Sequence, residues 1–527
     1  MTKFKSPKMR FVFFMILSLI SQTLQAKDSS FLDKRKYPKR KSIKGLQPDG
    51  QDMNQIIGNA VHTVAINFVW EYWQPSLKKS SCSSNEFLYN GLCYKLDHGI
   101  INKVKQYTQS EVVVTGIFYG VPGWARRSCS YAVAPMFCAP TEQGAYYYGL
   151  FLQFMAYYFN GENGNGRVAD FVIHNEVNAI SWFNFGCENG NCNLDTWTTV
   201  YSQSYNYAYD FVKKEQKAAK ILISFEHDFF NDLDSGVKRK DAVISCQTFL
   251  EKLVPKLGKR EWRLAYHAYP QDLLNPRFGP NDYPFITFGN IGVLSGWLHK
   301  KYPNNPHAWE IQLTENGINA NSQSMYQAQK DYLCKAFKNI LGTPGVESFI
   351  YHRLVDHPDE LKDGLGCGLW RSSTSFKPAW TLFALANRNG VGSGYPTCGF
   401  ELLPYVEMVS GYNGVNHYIS TRNLPDGFKK QVSFKIRRDS PDANMKLVYE
   451  CRIGGPKGSQ SFISADYNCE NQFNMGPMGY LYNTKVQNSI PIYRCYVSST
   501  GDHFVSSNAN CDNKGKSESL MGYGFAM

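Results

Sequence analysis

Phe171-Val-Ile-His-Asn-Glu176 and Trp309-Glu-Ile-Gln-Leu-Thr-Glu315-Asn-Gly317 are apolar runs of strand character, each ending in a carboxylate flanked by an amide side chain. An ionised carboxylate is too costly to bury unpaired, so a strand that stops on Glu needs a reason. A parallel strand whose carboxyl end opens into a cleft supplies one. Glu176 and Glu315 stand 139 residues apart on separate runs, a candidate pair of acids facing one substrate. One carboxyl that keeps its proton beside one that has lost it is what acid-assisted cleavage of a glycosidic bond requires. Asn-Glu also occurs at Asn85-Glu86 in a loop, so position on a strand carries the signal, not the dipeptide.

Elements must bring the two runs side by side. Between Ser42 and Arg388 short β-type runs alternate with helical ones. The strands are expected near Ser42–Gln47, His62–Trp70, Glu111–Tyr119, Asp170–Asn175, Lys220–Phe225, Trp262–Tyr269, Trp309–Thr314 and Val346–Tyr351. Helices are expected over 51–60, 98–107, 141–159, 241–257 and 289–300. Three more are capped by Asp195, closed by Gly342 and entered through Pro378. Eight such alternations predict an α/β fold, a closed (β/α)8 TIM barrel over residues 42–390. Glu176 then ends the fourth strand and Glu315 the seventh. No Gly-x-Gly-x-x-Gly or Walker pattern points to nucleotide binding, and no Gly-x-Ser-x-Gly to a serine hydrolase.

On these residues the chain resembles clan A of the glycoside hydrolases. His174-Asn175-Glu176 is similar to the clan's acid/base motif at the end of strand four. Thr314-Glu315-Asn316-Gly317 resembles the nucleophile string of its β-glucosidase branch, and His267-Ala-Tyr269 the His-x-Tyr of cellulase-like members. The resemblance implies Glu176 as acid/base, Glu315 as nucleophile and a retaining double displacement of an oligo- or polysaccharide. It implies substrate-binding roles for Asn175, on a sugar 2-hydroxyl, and for His267, Tyr269 and Asn316. The sequence departs from the pattern at Val177, where the β-glucosidase branch has Pro. The eighth strand lacks the sugar-stacking Trp of many members, a place that Tyr351 or Trp370 is expected to fill. Asn67 and Trp70 stand where the clan usually has an Arg. Carboxylates at Glu226, Asp228 and Asp356 compete as substrate ligands or surface ion clusters, and no metal or other cofactor is implied.

The formal net charge of +12 is mostly terminal: four basic residues fall in 1–10 and seven in 34–44. The nearly neutral remainder argues against nucleic acid as a partner. Residues 1–26 read as a signal peptide, with a basic start, the apolar run Phe11–Ile20 and Ala26 at its end. Residues 27–41 read as a basic flexible leader. The mature chain is expected to be secreted, monomeric and without a transmembrane segment. Fourteen cysteines with no Cys-x-x-Cys suit disulfides. Local spacing suggests Cys82–Cys93, Cys129–Cys138 and Cys187–Cys192, while Cys246, Cys334, Cys367 and Cys398 stay unassigned.

Beyond Gly390 the pattern changes to short strands and turns. Tyr405-Val-Glu-Met-Val, Tyr449-Glu-Cys-Arg-Ile and Tyr493-Arg-Cys-Tyr-Val recur at 44 residues, followed by strands at His417, Ser461 and His503. A module of three 44-residue repeats, trefoil-like, is expected over 391–527, with Cys451–Cys469 and Cys495–Cys511 paired within repeats. Its resemblance to a lectin-like repeat of exported bacterial proteins implies a glycan partner, with His417 and His503 as equivalent candidates. The alternative to an enzyme is a secreted, non-catalytic glycan-binding surface protein.

Overall fold

The computed structural model describes residues 29–48, 56, 59–130, 133–186, 192–231, 243–385 and 404–527. The expected signal peptide, most of the expected helix at 51–60 and the domain boundary near 390 lie outside them. Eight strands form the barrel: β1 (Lys44–Leu46), β2 (Thr63–Val69), β3 (Val113–Tyr119), β4 (Val168–Ile173), β5 (Lys220–Phe225), β6 (Arg263–Tyr266), β7 (Ile311–Asn316) and β8 (Val346–Tyr351). All neighbours pair in parallel and β8 closes onto β1. Seven helices of eight or more residues are described: α1 (His98–Gln109), α2 (Glu142–Tyr158), α3 (Leu194–Glu215), α4 (Cys246–Leu257), α5 (Gly292–Lys301), α6 (Tyr326–Leu341) and α7 (Pro378–Leu385). The cap of α3 is Asn193, which accepts from the Thr196 amide; Asp195 sits in the first turn instead. Gly342 does end α6, but at φ −75°. A side chain there would meet the Thr421 carbonyl at 2.2 Å, so close packing rather than left-handed backbone explains the glycine.

Strand alternation divides the barrel interior into layers. Ala65, Ile117, Val172, Leu222, Ala265 and Ile350 form a buried aliphatic cluster of their own. Their strand neighbours Ile66, Phe118, Phe171, Ile173, Ile223, Leu264 and Phe349 join the larger core shared with the helices. Two residues earlier on the same strand faces stand Thr115, Asp170, Lys220 and Arg263. These make an ionic floor.

That floor corrects the reading of residues 27–41 as a flexible leader. Arg40 is 9% exposed and inserts into the barrel's amino-terminal end, 2.6 Å from Asp170. It also donates to Thr63 and Gln312. Asp170, fully buried, accepts further from Tyr37, Thr115 and Gln312. Beside them Lys220 bridges Glu347 and Glu310, and Arg263 holds Glu310. A buried carboxylate with this many donors is satisfied, and so Tyr37 and Arg40 tie the described end of this segment to the barrel.

The carboxy-terminal part is a separate antiparallel assembly of nine strands. They are β9 (Tyr405–Tyr412), β10 (His417–Ser420), β11 (Lys429–Arg437), β12 (Met445–Ile453), β13 (Gln460–Ser464), β14 (Phe473–Tyr482), β15 (Ile490–Val497), β16 (Asp502–Ser506) and β17 (Lys516–Ala526). Each repeat is a hairpin plus a third strand, and the third strands share only one or two ladder pairs with one another. These pairings join three three-stranded units into one nine-stranded antiparallel sheet around a common core. Register corrects the first repeat too. Tyr449 pairs with Ser464 and Tyr493 with Ser506, whereas the residue opposite Ser420 is Val409, not Tyr405. With that shift Met408, Val448 and Ile492 become equivalent core residues, as do Ile419, Ile463 and Val505. The disulfides Cys82–Cys93, Cys129–Cys138, Cys451–Cys469 and Cys495–Cys511 form as expected. Cys187 lies outside the described residues, and Cys246 and Cys367 are free and buried. No described helix is long and apolar enough to cross a membrane.

Arg40→Ala is expected to leave Asp170 charged and buried without its cation, a loss of about 3–5 kcal/mol. A calorimetric melt should show a midpoint lowered by several degrees. An unchanged midpoint would mean that the floor contributes nothing to stability.

Candidate active site

At the opposite end of the barrel the loops enclose a cavity of about 640 Å³. Asn175, Glu176, Tyr269 and Glu315 line it, with Asn67, Tyr119, Glu226, His227, His352 and Arg353. β4 stops at Ile173, so Glu176 belongs to the turn beyond rather than to the strand. In that turn His174 and Glu176 have φ of +59° and +36°, left-handed values that cost a non-glycine residue energy. Its backbone is fixed from β5: the Glu176 amide donates to the Ser224 hydroxyl and the Val177 amide to the Ser224 carbonyl. The His174 ring stacks on Tyr148 at 4.5 Å, and burial pulls its pKa down to about 3. It is a packing residue.

Glu315 reaches the cavity through a register slip. Between the pairs Phe349↔Leu313 and Tyr351↔Asn316, β7 spends three residues where β8 spends two. An extra residue of this kind re-aims the side chains that follow it. Glu315 therefore faces the cavity, while Asn316 is fully buried, its Oδ1 accepting from the Ala268 amide at 2.6 Å. Asn316 thus holds β6 to β7, a structural bond, and does not line the cavity, contrary to its expected binding role.

His267 joins the two acids. Its Nδ1 lies 2.7 Å from Glu176 Oε1, and its Nε2 3.5 Å from the Ser224 hydroxyl. The Tyr269 hydroxyl donates to Glu315 Oε1 at 3.2 Å. One oxygen from each acid and one His267 nitrogen all lie within 4.8 Å of one another. Zinc could be held by such a donor set, but bonds of about 2.0–2.1 Å would require the 2.7 Å His267–Glu176 contact to open. At that length it is a hydrogen bond.

Charges in the cluster stabilise one another. Burial alone would lower the His267 and His352 pKa values, yet the Glu315 charge, with hydrogen bonds to Glu176 and Glu360 respectively, raises both above 6.5. Burial would raise Glu315, and His352, His267 and the Tyr269 hydrogen bond lower it below 4.5 instead. Glu226 behaves oppositely: burial, then the charges of Glu176 and Asp228, push it up to about 8. It therefore keeps its proton at neutral pH. Asn178 and the Asp228 amide donate to its two oxygens.

Tyr351 and Trp370, the expected sugar-stacking residues, are core instead. Tyr351 is fully buried and donates to the Cys367 carbonyl, and Trp370, 3% exposed, packs against Trp380. The aromatic wall of the cavity is Tyr119, at the end of β3, with Phe137 and Trp182 from the loops after β3 and β4. Phe137 follows Cys129 in a disulfide-closed loop ending at Cys138, and that spacing is its only sequence signal. Asp356 is paired with Lys377 away from the cavity. His352 and Arg353 follow β8, and no pattern in the sequence distinguishes them from strand-end residues. Asn175 Oδ1 is buried without a hydrogen-bond partner among the described residues.

A family model described as "Family of unknown function (DUF5722)" matches residues 36–391. No curated protein matches. Similar solved structures include a family 39 glycoside hydrolase from Bacteroides cellulosilyticus WH2, at 14% identity and TM-score 0.44, covering 82% of this chain and 77% of that one. A family 1 β-glucosidase from Thermotoga maritima has 13% identity and TM-score 0.39, over 63% of this chain and 84% of that one. A fungal β-1,4-galactanase has 14% identity and TM-score 0.39, over 64% and 93%. Likeness at this level carries no argument about chemistry.

Glu315→Gln is expected to lower the titration midpoints of His267 and His352 in histidine NMR spectra, because the charge that raises them is gone. The stability each raised histidine contributes is complete below pH 6.5 and is lost as pH rises through its folded pKa. The contribution of Glu315 is complete above pH 4.5 and is lost as pH falls through its folded pKa. The melting difference between the native chain and Glu315→Gln should therefore peak between these values and shrink above neutrality. A pH-independent difference would rule out the coupling.

Proposed function

We propose that this chain, which belongs to the family of unknown function DUF5722 over residues 36–391, is a secreted retaining glycoside hydrolase. Glu176 is its acid/base and Glu315 its nucleophile. The observation carrying this reading is the approach of the two acids: carboxylate oxygens within 4.8 Å at the mouth of a parallel barrel. Carboxyl groups about 5–5.5 Å apart suit attack by one on the sugar, while about 6.5–9.5 Å would leave room for a water. The four described disulfides suit an oxidising compartment.

In the first step ionised Glu315 attacks the anomeric carbon as Glu176 gives its proton to the leaving oxygen. The glycosyl–oxygen bond breaks and an ester to Glu315 forms. Burial makes Glu315 reactive, and Tyr269, His267 and His352 keep it ionised. In the second step Glu176 takes a proton from water, which attacks the same carbon and releases Glu315. The 2.7 Å bond from His267 supports Glu176 while it is charged between the steps. Asn175 offers its unpartnered oxygen to a sugar hydroxyl. Tyr119, Phe137 and Trp182 present ring faces to the sugar's C–H faces. The carboxy-terminal module is proposed to hold glycan at His417 and His503, which occupy matching register positions opposite Tyr412 and Tyr496.

A panel of oligo- and polysaccharides incubated with the mature protein should include one that is cleaved, with the anomeric configuration retained in the first product by NMR. Glu315→Gln should lose about 10³-fold or more in kcat. Glu176→Gln should lose most with poor leaving groups, since those need the proton. Inversion would overturn the mechanism, and binding of glycans without cleavage of any would favour the non-catalytic reading.

A further inference from the structure

Residues 279–289, between β6 and α5, fold into a closed loop. The Asp282 carboxylate accepts from the Gly279 amide and the Thr287 hydroxyl, and Gly289 lies so close to the Gly279 carbonyl that a side chain would meet it at 2.1 Å. One side of this loop touches the cavity wall. The Ile286 amide donates to the His227 carbonyl at 3.1 Å, and the Phe230 amide to the Pro284 carbonyl at 3.2 Å. The Phe285 ring packs on the His227 ring at 5.4 Å. His227 and its neighbour Glu226 line the cavity.

The other side touches the carboxy-terminal module. Arg452 of β12 is 1% exposed and donates to the Pro280 carbonyl at 3.2 Å and to Asn281 Oδ1 at 2.9 Å. The same guanidinium donates to the Tyr418 hydroxyl and lies over its ring. Tyr418 donates to Glu450, which Arg422 pairs. Phe473 of β14 meets Tyr283 edge-on at 5.6 Å, and Tyr283 meets Phe230 at 5.2 Å. Arg452 has no counterpart in the other repeats. Register places Tyr412 and Tyr496 at its position, opposite His417 and His503, where Arg452 is opposite Ser461. One of three equivalent seams therefore carries a cation directed at the barrel.

We propose that Arg452 is a positioning residue for the cavity: through the 279–289 loop, the module sets where His227 and Glu226 stand. The inference deepens the glycosidase reading by assigning one wall of the substrate cleft to the module, yet its test needs no substrate. Burial holds the His227 pKa down at about 4, with Glu226 3.5 Å away and His267 also bearing on it. A loosened loop admits water and lets that value climb.

The test compares hydrogen exchange and histidine NMR titration in the full chain for Arg452→Ala, Asn281→Ala and Phe473→Ala. Arg438→Ala is the control: it removes a docking contact with the Leu341 and Val346 carbonyls, beside the floor of the barrel and away from the loop. The loop variants are expected to speed exchange by about tenfold in both 279–289 and 226–231, and to move the His227 midpoint toward 6.5. Exchange in β4 should not change. Arg452→Lys should restore part of the effect. If Arg452→Ala does not fold, Asn281→Ala and Phe473→Ala carry the test alone. An unchanged His227 midpoint with an opened loop would overturn the proposal. So would an equal shift in Arg438→Ala, which would make docking in general, not this loop, the cause. A chain that cleaves no glycan but shows these shifts would fail the glycosidase reading and leave the coupling standing.

Discussion

An aliphatic belt separates two charged layers inside this barrel, and both layers depend on it. Ala65, Ile117, Val172, Leu222, Ala265 and Ile350 carry no polar atom that could relay charge between the Arg40–Asp170 floor and the Glu176–His267–Glu315 cluster. In so dry a medium each ion is held by its own layer alone. That requirement accounts for the dense pairing in each layer: Asp170 has four donors, and Glu315 has Tyr269 with two imidazoles close by. It also fixes spacing along the strands. β5 and the residue after it read Lys220, Leu222, Ser224, Glu226, and β6 with the residues after it reads Arg263, Ala265, His267, Tyr269, floor to cavity in steps of two.

The alternation fails where the two acids stand. Glu176 is reached through a turn with two left-handed residues, and Glu315 through an inserted residue in β7. A regular β7 would have directed Glu315 elsewhere. In β4 it is His174 that leaves the interior face of Asp170 and Val172 to pack on Tyr148, and Glu176 regains that face. Neighbouring bonds hold the irregular backbone in place: Ser224 clamps the first acid's turn, and Asn316 ties the second acid's strand to β6. Strain sited at a prospective reaction centre and restrained by its surroundings is a pattern expected of pre-organised sites.

The strands and both acids are legible in the sequence because an apolar run that stops at a carboxylate suits few places besides a strand end open to a cleft. His267 and Tyr269 are legible from the same parity. Asn316, Tyr351 and Trp370 mislead because sequence neighbourhood does not reveal which side of a bulge or layer a residue faces. The leader misleads through composition: seven basic residues look solvated until a buried carboxylate 130 positions away is placed beside one of them. In the module, matching Tyr405 to Tyr449 follows letter identity, whereas pairing with the terminal serines puts Val409 there. Phe137 and Trp182 of the cavity's aromatic wall come from loops, whose shape is set by contacts between distant segments.

Arg40 also bears on the order of folding. It leaves the ribosome early, but its partners Asp170 and Gln312 follow 130 and 272 residues later. Contacts of such separation form slowly, since a long loop must close before they repay it. The floor is therefore among the last parts of the barrel to assemble, and until then the amino-terminal segment stays unengaged. A chain arranged in this way delays its own completion until nearly all of the barrel has been synthesised.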